Sequence, residues 1–293
     1  MSWHARRARL RALLAAETCV FPASVHDPLS ARAAGDLGFE MALLAGSVAS
    51  LAVLGAPDLA LLTLSELAGL VLRIGRAADL PLLVDGDHGY GNALNVRRTV
   101  EELEIAGAAG LSIEDTALPA GFGATGAAFI PRAEGVGKLR AALAARRDPA
   151  LVIAARTGTI AALGLPETLD RARAYAETGA DALFLTGIRT WDELDALAGA
   201  VSCPLILGTL APALDDPAAL AARRVRIALQ GHLPFQAGFA ATVATLRALR
   251  GGARPATLGH AADAALLREA AREREYQAAM ADYLEQTGEN RSF

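Results

Sequence analysis

The sequence predicts an α/β fold, a (β/α)8 TIM barrel, on three observations. Short apolar runs alternate with longer helical patterns about eight times along one unbroken chain of 293 residues. The runs are apolar along their whole length, as strands of a parallel sheet are when helices cover them. No proline- or serine-rich linker interrupts the chain, and such barrels run to roughly 250 residues or more as one domain. Repeated βα units imply right-handed crossovers, and eight of them favour a closed barrel over a doubly wound open sheet.

The elements follow in order. Arg6, Arg7, Arg9 and Arg11 open the chain, with Leu10, Leu13 and Leu14 among them at helical spacing. This segment reads as a solvated helix face rather than a phosphate-binding arm. A first strand spans 19–23 and a helix 27–37. Strands follow at 41–45, 81–85, 110–114, 151–156, 182–186, 204–208 and 225–229. Helical patterns lie at 65–77, 93–106, 134–145, 166–178, 190–198 and 234–249, the fourth opening on Pro166, a favoured first-turn residue. We read residues 1–293 as one barrel domain with a helical extension over 256–293. That extension contains a charged helix at 261–285, placed to swap onto a neighbouring subunit.

Composition excludes several classes. The chain is 53% hydrophobic and 20% charged, which argues against disorder. Its net charge is −4, without a basic stripe interleaved with aromatics, so no nucleic-acid partner is expected. Cys19 and Cys203 have no paired spacing, so neither a zinc site nor a disulfide framework is expected. No apolar stretch is long enough to span a membrane and no secretory leader is recognisable, which gives a soluble, cytoplasmic expectation.

In a barrel the chemistry lies at the C-terminal ends of the strands. Those ends carry Gly46-Ser47, the run Asp85-Gly86-Asp87-His88-Gly89-Tyr90-Gly91, Glu114-Asp115, Arg156-Thr157 and Gln230-Gly231-His232, with Asp58 in a nearby loop. Singly, Asp85 or Glu114 reads equally well as a helix cap. Jointly, Asp58, Asp85, Asp87 and Glu114 converge on one mouth, where their repulsion calls for a cation. Oxygen ligands favour Mg²⁺, or Mn²⁺, over zinc. Mg²⁺ keeps several waters, so one carboxylate binds directly and the others through water. Arg156 suits two-point binding of a carboxylate, its alternative being an ion pair with a mouth acid. Ser47 and the amides around Gly46 suit the other end of an anion. His232 faces the same mouth, His88 braces its loop, and His26 is left unassigned.

At these residues the sequence resembles the isocitrate lyase/phosphoenolpyruvate mutase superfamily. The matching text is Gly46-Ser47-Val48-Ala49, Pro57-Asp58, Leu64-Ser65-Glu66, Asp85 through Asn92, Ile113-Glu114-Asp115, Ala155-Arg156-Thr157 and Gly179-Ala180-Asp181, in order over nearly the whole chain. Lyases of this superfamily carry a Lys-Cys-Gly-His segment after the Ile-Glu-Asp strand. This chain has Leu118-Pro119-Ala120-Gly121-Phe122-Gly123-Ala124 there, without cysteine. With Gly231-His232 after the last strand, that loop is similar to the oxaloacetate decarboxylase branch.

The resemblance implies a homotetramer and Mg²⁺-dependent loss of CO₂ from oxaloacetate, a small α-keto acid, through a metal-stabilised enolate of pyruvate. It implies that Asp85 is the direct metal ligand and that Ser47, Arg156 and His232 contact the substrate, with 118–130 as a lid. Family members follow Arg-Thr with Asp, Asn or Glu, whereas this chain has Gly158-Thr159, which keeps related α-keto acids open as substrates. The alternatives are a carbon–carbon lyase, a phosphonopyruvate-type hydrolase and a non-catalytic keto-acid-binding protein.

Overall fold

The computed structural model describes residues 2–258 and 264–284. Eight strands pair in parallel in sequence order: β1 (Ala23–Ser24), β2 (Ala42–Leu44), β3 (Leu82–Asp85), β4 (Gly110–Glu114), β5 (Val152–Thr157), β6 (Ala182–Leu185), β7 (Leu205–Leu207) and β8 (Val225–Ala228). A parallel bridge between Val20 and Ile227 joins the last strand to the first, with Val20 N–H on Arg226 O at 2.9 Å and Ala228 N–H on Val20 O at 3.0 Å. The expected (β/α)8 architecture is therefore present.

Helix α1 (Trp3–Ala15) precedes the strands. Between them run α2 (Pro28–Asp36), α3 (Gly46–Leu54), α4 (Leu64–Ala77), α5 (Ala93–Ile105), α6 (Arg132–Ala145), α7 (Ile160–Ala176), α8 (Trp191–Ala200) and α9 (Pro217–Ala222). After β8 come α10 (Leu233–Arg250), α11 (Ala264–Ala270) and α12 (Glu273–Leu284). Capping boxes at Asp27, Thr63, Asn92 and Thr190 start four of these helices by satisfying amides that have no partner within the helix. By compactness the chain divides into Met1–Phe235, which holds all eight strands, and Gln236–Phe293. Among the described residues no helix is long and apolar enough to cross a membrane.

Side chains on a strand alternate between faces, and here the alternation separates two cores. Leu44, Val84, Leu111, Ile153, Leu183 and Leu205 point outward and pack with the helices. Met41, Leu43, Leu83, Val152, Ala154, Ala182, Phe184, Ile206 and Ile227 point inward and pack with Leu10 and Leu14 of α1. The same period carries Asp85, Glu114 and Arg156 onto the inward face at the C-terminal strand ends.

Four expectations need correction. The first strand is shorter than 19–23: Val20 serves β8, Ala23 and Ser24 serve β2, and Pro22 between them has no N–H for a ladder. The stretch from Gly46, read as a strand end and loop, is helix α3. The Arg-rich start is not a solvated face. Arg6 and Arg7 are buried, Arg7 donating to Ala108 O at 3.1 Å and Asp148 Oδ2 at 2.9 Å, and Arg6 to Asp79 Oδ1 at 2.7 Å. These cations stitch α1 to the loops at the N-terminal end of the barrel. The charged helix expected over 261–285 is two helices, α11 and α12, parted at Arg272, whose φ of 62° breaks helical geometry; residues 261–263 and 285 of that expectation lie outside the described residues.

Candidate active site

The first layer of the mouth comes from β3, β4 and β5. Asp85 pairs in register with Ser112, and Glu114 with Arg156. Arg156 Nη1 donates to Asp85 Oδ2, and its Nε lies 3.2 Å from Glu114 Oε2. Ser112 Oγ donates to Asp85 Oδ1 at 3.2 Å, and the Gly46 amide approaches Oδ2 at 3.5 Å. The guanidinium carbon of Arg156 stands 5.3 Å from the Phe184 ring centroid. Arg156 therefore makes the ion pair that was its alternative reading. Neither Asp85 nor Glu114 caps a helix: α5, which follows β3, is capped by Asn92, and α6, which follows β4, starts after Pro131.

Charge balance in this layer is lopsided. Burial alone would raise the Asp85 carboxyl, but Arg156 and the hydrogen bonds from Gly46 and Ser112 outweigh it and hold the group ionised. At Asp87 the attraction of Arg156 is outweighed. Burial, then Asp85, Asp58 and Glu114, push its carboxyl up to about 8. Glu114 is also raised, by burial and by Asp85, with Arg156 opposing. Asp58 sits at the exposed rim, yet its carboxyl end is desolvated enough, and near enough to Asp85, to be raised. Four carboxylates thus face one guanidinium. An all-oxygen donor set carrying surplus negative charge fits a hard divalent cation. Among the described residues no three His, Cys, Asp or Glu side chains are already gathered as a ligand cluster.

Helix α3 points its N-terminus at the same place. Ala45 provides no side-chain cap, so the α3 N-terminus presents its first-turn amides to an anion, the Gly46 amide now facing Asp85 Oδ2. A Cβ at Gly46 would lie 2.5 Å from Asp87 Oδ1, so any side chain there would displace that carboxylate. The loop from β3 to α5 carries Asp87 at φ 47° and Tyr90 at φ 59°, left-handed values that non-glycine residues rarely adopt. His88 in this loop is buried, and burial with Lys138 nearby lowers its pKa to about 4.

On the opposite wall His232 Nδ1 lies 2.9 Å from Ser24 Oγ. Burial lowers the His232 pKa and Asp85 partly opposes this, so the imidazole is neutral at neutral pH. His26 packs edge-on against Phe235, with ring centroids 5.1 Å apart. Thr186 follows β6 on the inward face, and a Cβ on Gly158 would stand 2.5 Å from its Oγ1. Behind the strand ends Asp115 Oδ2 accepts from Thr157 Oγ1, Arg171 Nη1 and Tyr175 Oη, each at 2.9 Å. The loop 118–130 leaves and re-enters through an antiparallel bridge between Thr116 and Phe129, and Ile130 N–H donates to Asp115 O at 2.9 Å.

Sequence reasoning did not single out Ser24, Ser112, Lys138 or Thr186. Strand parity could have found the first two and Thr186, which share the inward face with Asp85 and Arg156. Lys138 carried a compositional signal, being the only lysine among the chain's 28 lysines and arginines.

Comparison with known proteins identifies the family. The family model described as phosphoenolpyruvate phosphomutase matches residues 10–250. A Bradyrhizobium sp. protein named oxaloacetate decarboxylase is 54% identical over 285 residues, covering 97% of this chain and 99% of its own. A Rhodopseudomonas palustris protein of the same name is 56% identical over 272 residues, covering 93% and 94%. Among solved structures, a phosphonopyruvate hydrolase in complex with oxalate and Mg²⁺ superimposes with a TM-score of 0.86 at 30% identity, covering 97% of this chain and 100% of that one. An oxaloacetate acetylhydrolase in complex with the inhibitor 3,3-difluorooxalacetate gives a TM-score of 0.84 at 29% identity, covering 94% and 97%.

Proposed function

The chain belongs to the phosphoenolpyruvate phosphomutase family, within the isocitrate lyase/phosphoenolpyruvate mutase superfamily, and we propose that it is a carboxy-lyase that converts oxaloacetate to pyruvate and CO₂ with Mg²⁺. The observation that carries this reading is the 54–56% identity to proteins named oxaloacetate decarboxylase over more than nine-tenths of both chains. The donor set at the mouth supports it independently.

Asp85 would hold the cation directly, with Asp58, Asp87 and Glu114 reaching it through water; Mn²⁺ suits the same oxygens. Bound there, the ion would supply Lewis-acid stabilisation of the charge that develops on the keto oxygen. The chain's own groups do the rest. Arg156, the Ser47 hydroxyl and the amides of Gly46 and Ser47 bind the carboxylate next to the keto group. The bond from C3 to the far carboxylate breaks, CO₂ leaves, and its electron pair forms the enolate of pyruvate. His232, held by Ser24, orients the departing carboxylate or helps the enolate collect its proton. The loop 118–130 acts as a lid that excludes water. A homotetramer in the cytoplasm completes this reading; exposed apolar side chains on α10 and α12, such as Phe239, Leu246, Tyr276 and Tyr283, suit contact with another subunit.

The test is pyruvate formation from oxaloacetate with Mg²⁺ and with excess chelator, corrected for decay caused by the metal alone in solution. Saturable, chelator-sensitive turnover that oxalate inhibits, and that Asp85→Ala abolishes, is expected. Turnover no faster than the metal blank would reject oxaloacetate. Phosphonopyruvate would be assayed next, because the phosphonopyruvate hydrolase shares the fold over nearly the whole chain.

A further inference from the structure

Lys138 is the only lysine in a chain that otherwise uses arginine for every basic side chain. It is also buried, at 3% exposure, whereas lysine ordinarily keeps its ammonium in water. Burial pushes its pKa down, and Glu134 and Glu114 oppose that shift. Its Nζ donates to the backbone carbonyl of His88 at 3.0 Å. The chain's single lysine thus places a compact ammonium, with three donors, out of water and against a backbone carbonyl.

The carbonyl it holds belongs to the loop between β3 and α5. Two consecutive carbonyls of that loop are gripped from the β4–α6 unit: Asp87 O accepts the Glu114 N–H at 2.9 Å, and His88 O accepts Lys138 Nζ. Thr99 Oγ1, at 3.1 Å from Gly89 O, holds the next residue. These contacts hold Asp87 and the two residues after it, where the left-handed φ of 47° at Asp87 needs external support. Lys138, Glu114 and Arg156 also line one small cavity of about 10 Å³ between the barrel wall and α6. The lysine therefore brings a second buried positive charge to a cluster in which Arg156 otherwise stands against four carboxylates.

We propose that Lys138 is a positioning residue for the cation site: by holding the His88 carbonyl it fixes the loop that presents Asp87 beside Asp85. This rests on the divalent-cation reading given above. The two contributions of the lysine predict opposite effects, which makes the idea testable. If its charge alone mattered, removing it would tighten cation binding. If it positions the loop, removing it weakens binding.

The experiment is Mn²⁺ titration of wild type, Lys138→Met and Lys138→Gln by calorimetry, with circular dichroism and thermal unfolding as checks of folding. Both variants should bind Mn²⁺ at least about tenfold more weakly, the range found when groups that orient metal ligands are removed. Lys138→Gln retains a donor on a shorter side chain and covers the case in which the methionine variant does not fold. Hydrogen exchange at the Gly89 amide, which donates to Gly86 O at 3.0 Å, should quicken in both. Folded variants that bind Mn²⁺ as tightly as wild type, or more tightly, would overturn the proposal and leave the cation reading intact. Wild-type protein that binds no Mn²⁺ would overturn both.

Discussion

Arg156 donates to Oδ2 of Asp85, the same oxygen that the Gly46 amide approaches at 3.5 Å. The proposed metal ligand and the proposed substrate clamp are thus partners of one another. On that reading a cation held by Asp85 would compete with Arg156 for that oxygen and leave the guanidinium able to take a carboxylate.

Arg156→Gln should therefore change two affinities in opposite directions. Mn²⁺ binding to the protein alone should strengthen, because a buried competitor is gone. Oxalate binding in the presence of Mn²⁺ should weaken by about tenfold or more, the effect of losing a charge-assisted pair of hydrogen bonds. Titrations of each ligand separately would check this, and a loss of both affinities would mean that Arg156 only holds the strand ends together.

Gly158 stands where relatives by resemblance carry an acid or amide. The structure gives a steric reason: Thr186 Oγ1 would lie 2.5 Å from a Cβ at 158. Gly158→Ala should cost about 1–3 kcal/mol through overpacking. In the Thr186→Ala background most of that cost should vanish, leaving a coupling of about 1 kcal/mol or more between the two positions. Denaturant unfolding of the four proteins measures it, and additive costs would place the strain of Gly158→Ala elsewhere.

At the other end of the barrel, desolvation raises the Asp148 carboxyl, but hydrogen bonds from Arg7, the Ala150 amide and His4 outweigh it and hold its pKa at about 2. A carboxyl lowered in the folded state stabilises the protein above its unfolded value, near 3.8. That contribution fades as pH falls through about 4 toward 2. Asp148→Asn should thus cost about 1–2 kcal/mol at neutral pH. The gap from wild type should close in acid, as a pH series of unfolding curves would show. A constant gap would trace the loss to packing instead.

Strand positions were readable because strands covered by helices are apolar throughout. Asp85, Glu114 and Arg156 were then singled out as the polar residues at the C-terminal ends of those strands. Helix α3 was not readable: its buried residues, Gly46, Val48, Ala49 and Ser50, are small or apolar and do not recur at helical spacing. The roles of Arg6 and Arg7 were hidden because most of their partners are backbone carbonyls or acids far along the chain, which leave no local pattern. The Arg156–Asp85 pair was foreseen only as an alternative, since sequence gives the layer in which side chains meet but not which rotamers meet within it.

His232 separates catalysis from binding most cleanly. It reaches the mouth from after β8 and is held by Ser24 from β1, the two strands that close the barrel. Neither residue touches the carboxylate cluster through any hydrogen bond among the described residues. His232→Ala should therefore lower turnover of oxaloacetate by about 10²-fold or more while changing oxalate affinity little. Burial lowers the His232 pKa below the usual 6.5, so protonation at neutral pH is slight. If the neutral imidazole is the working form, the acid limb of the kcat profile lies below that value, and it should be absent from His232→Ala. Ser24→Ala should reduce kcat less and leave that limb in place, because it loosens the ring without removing it. Equal losses in turnover and oxalate binding would assign His232 to holding the substrate, and the proton would then have to come from solvent.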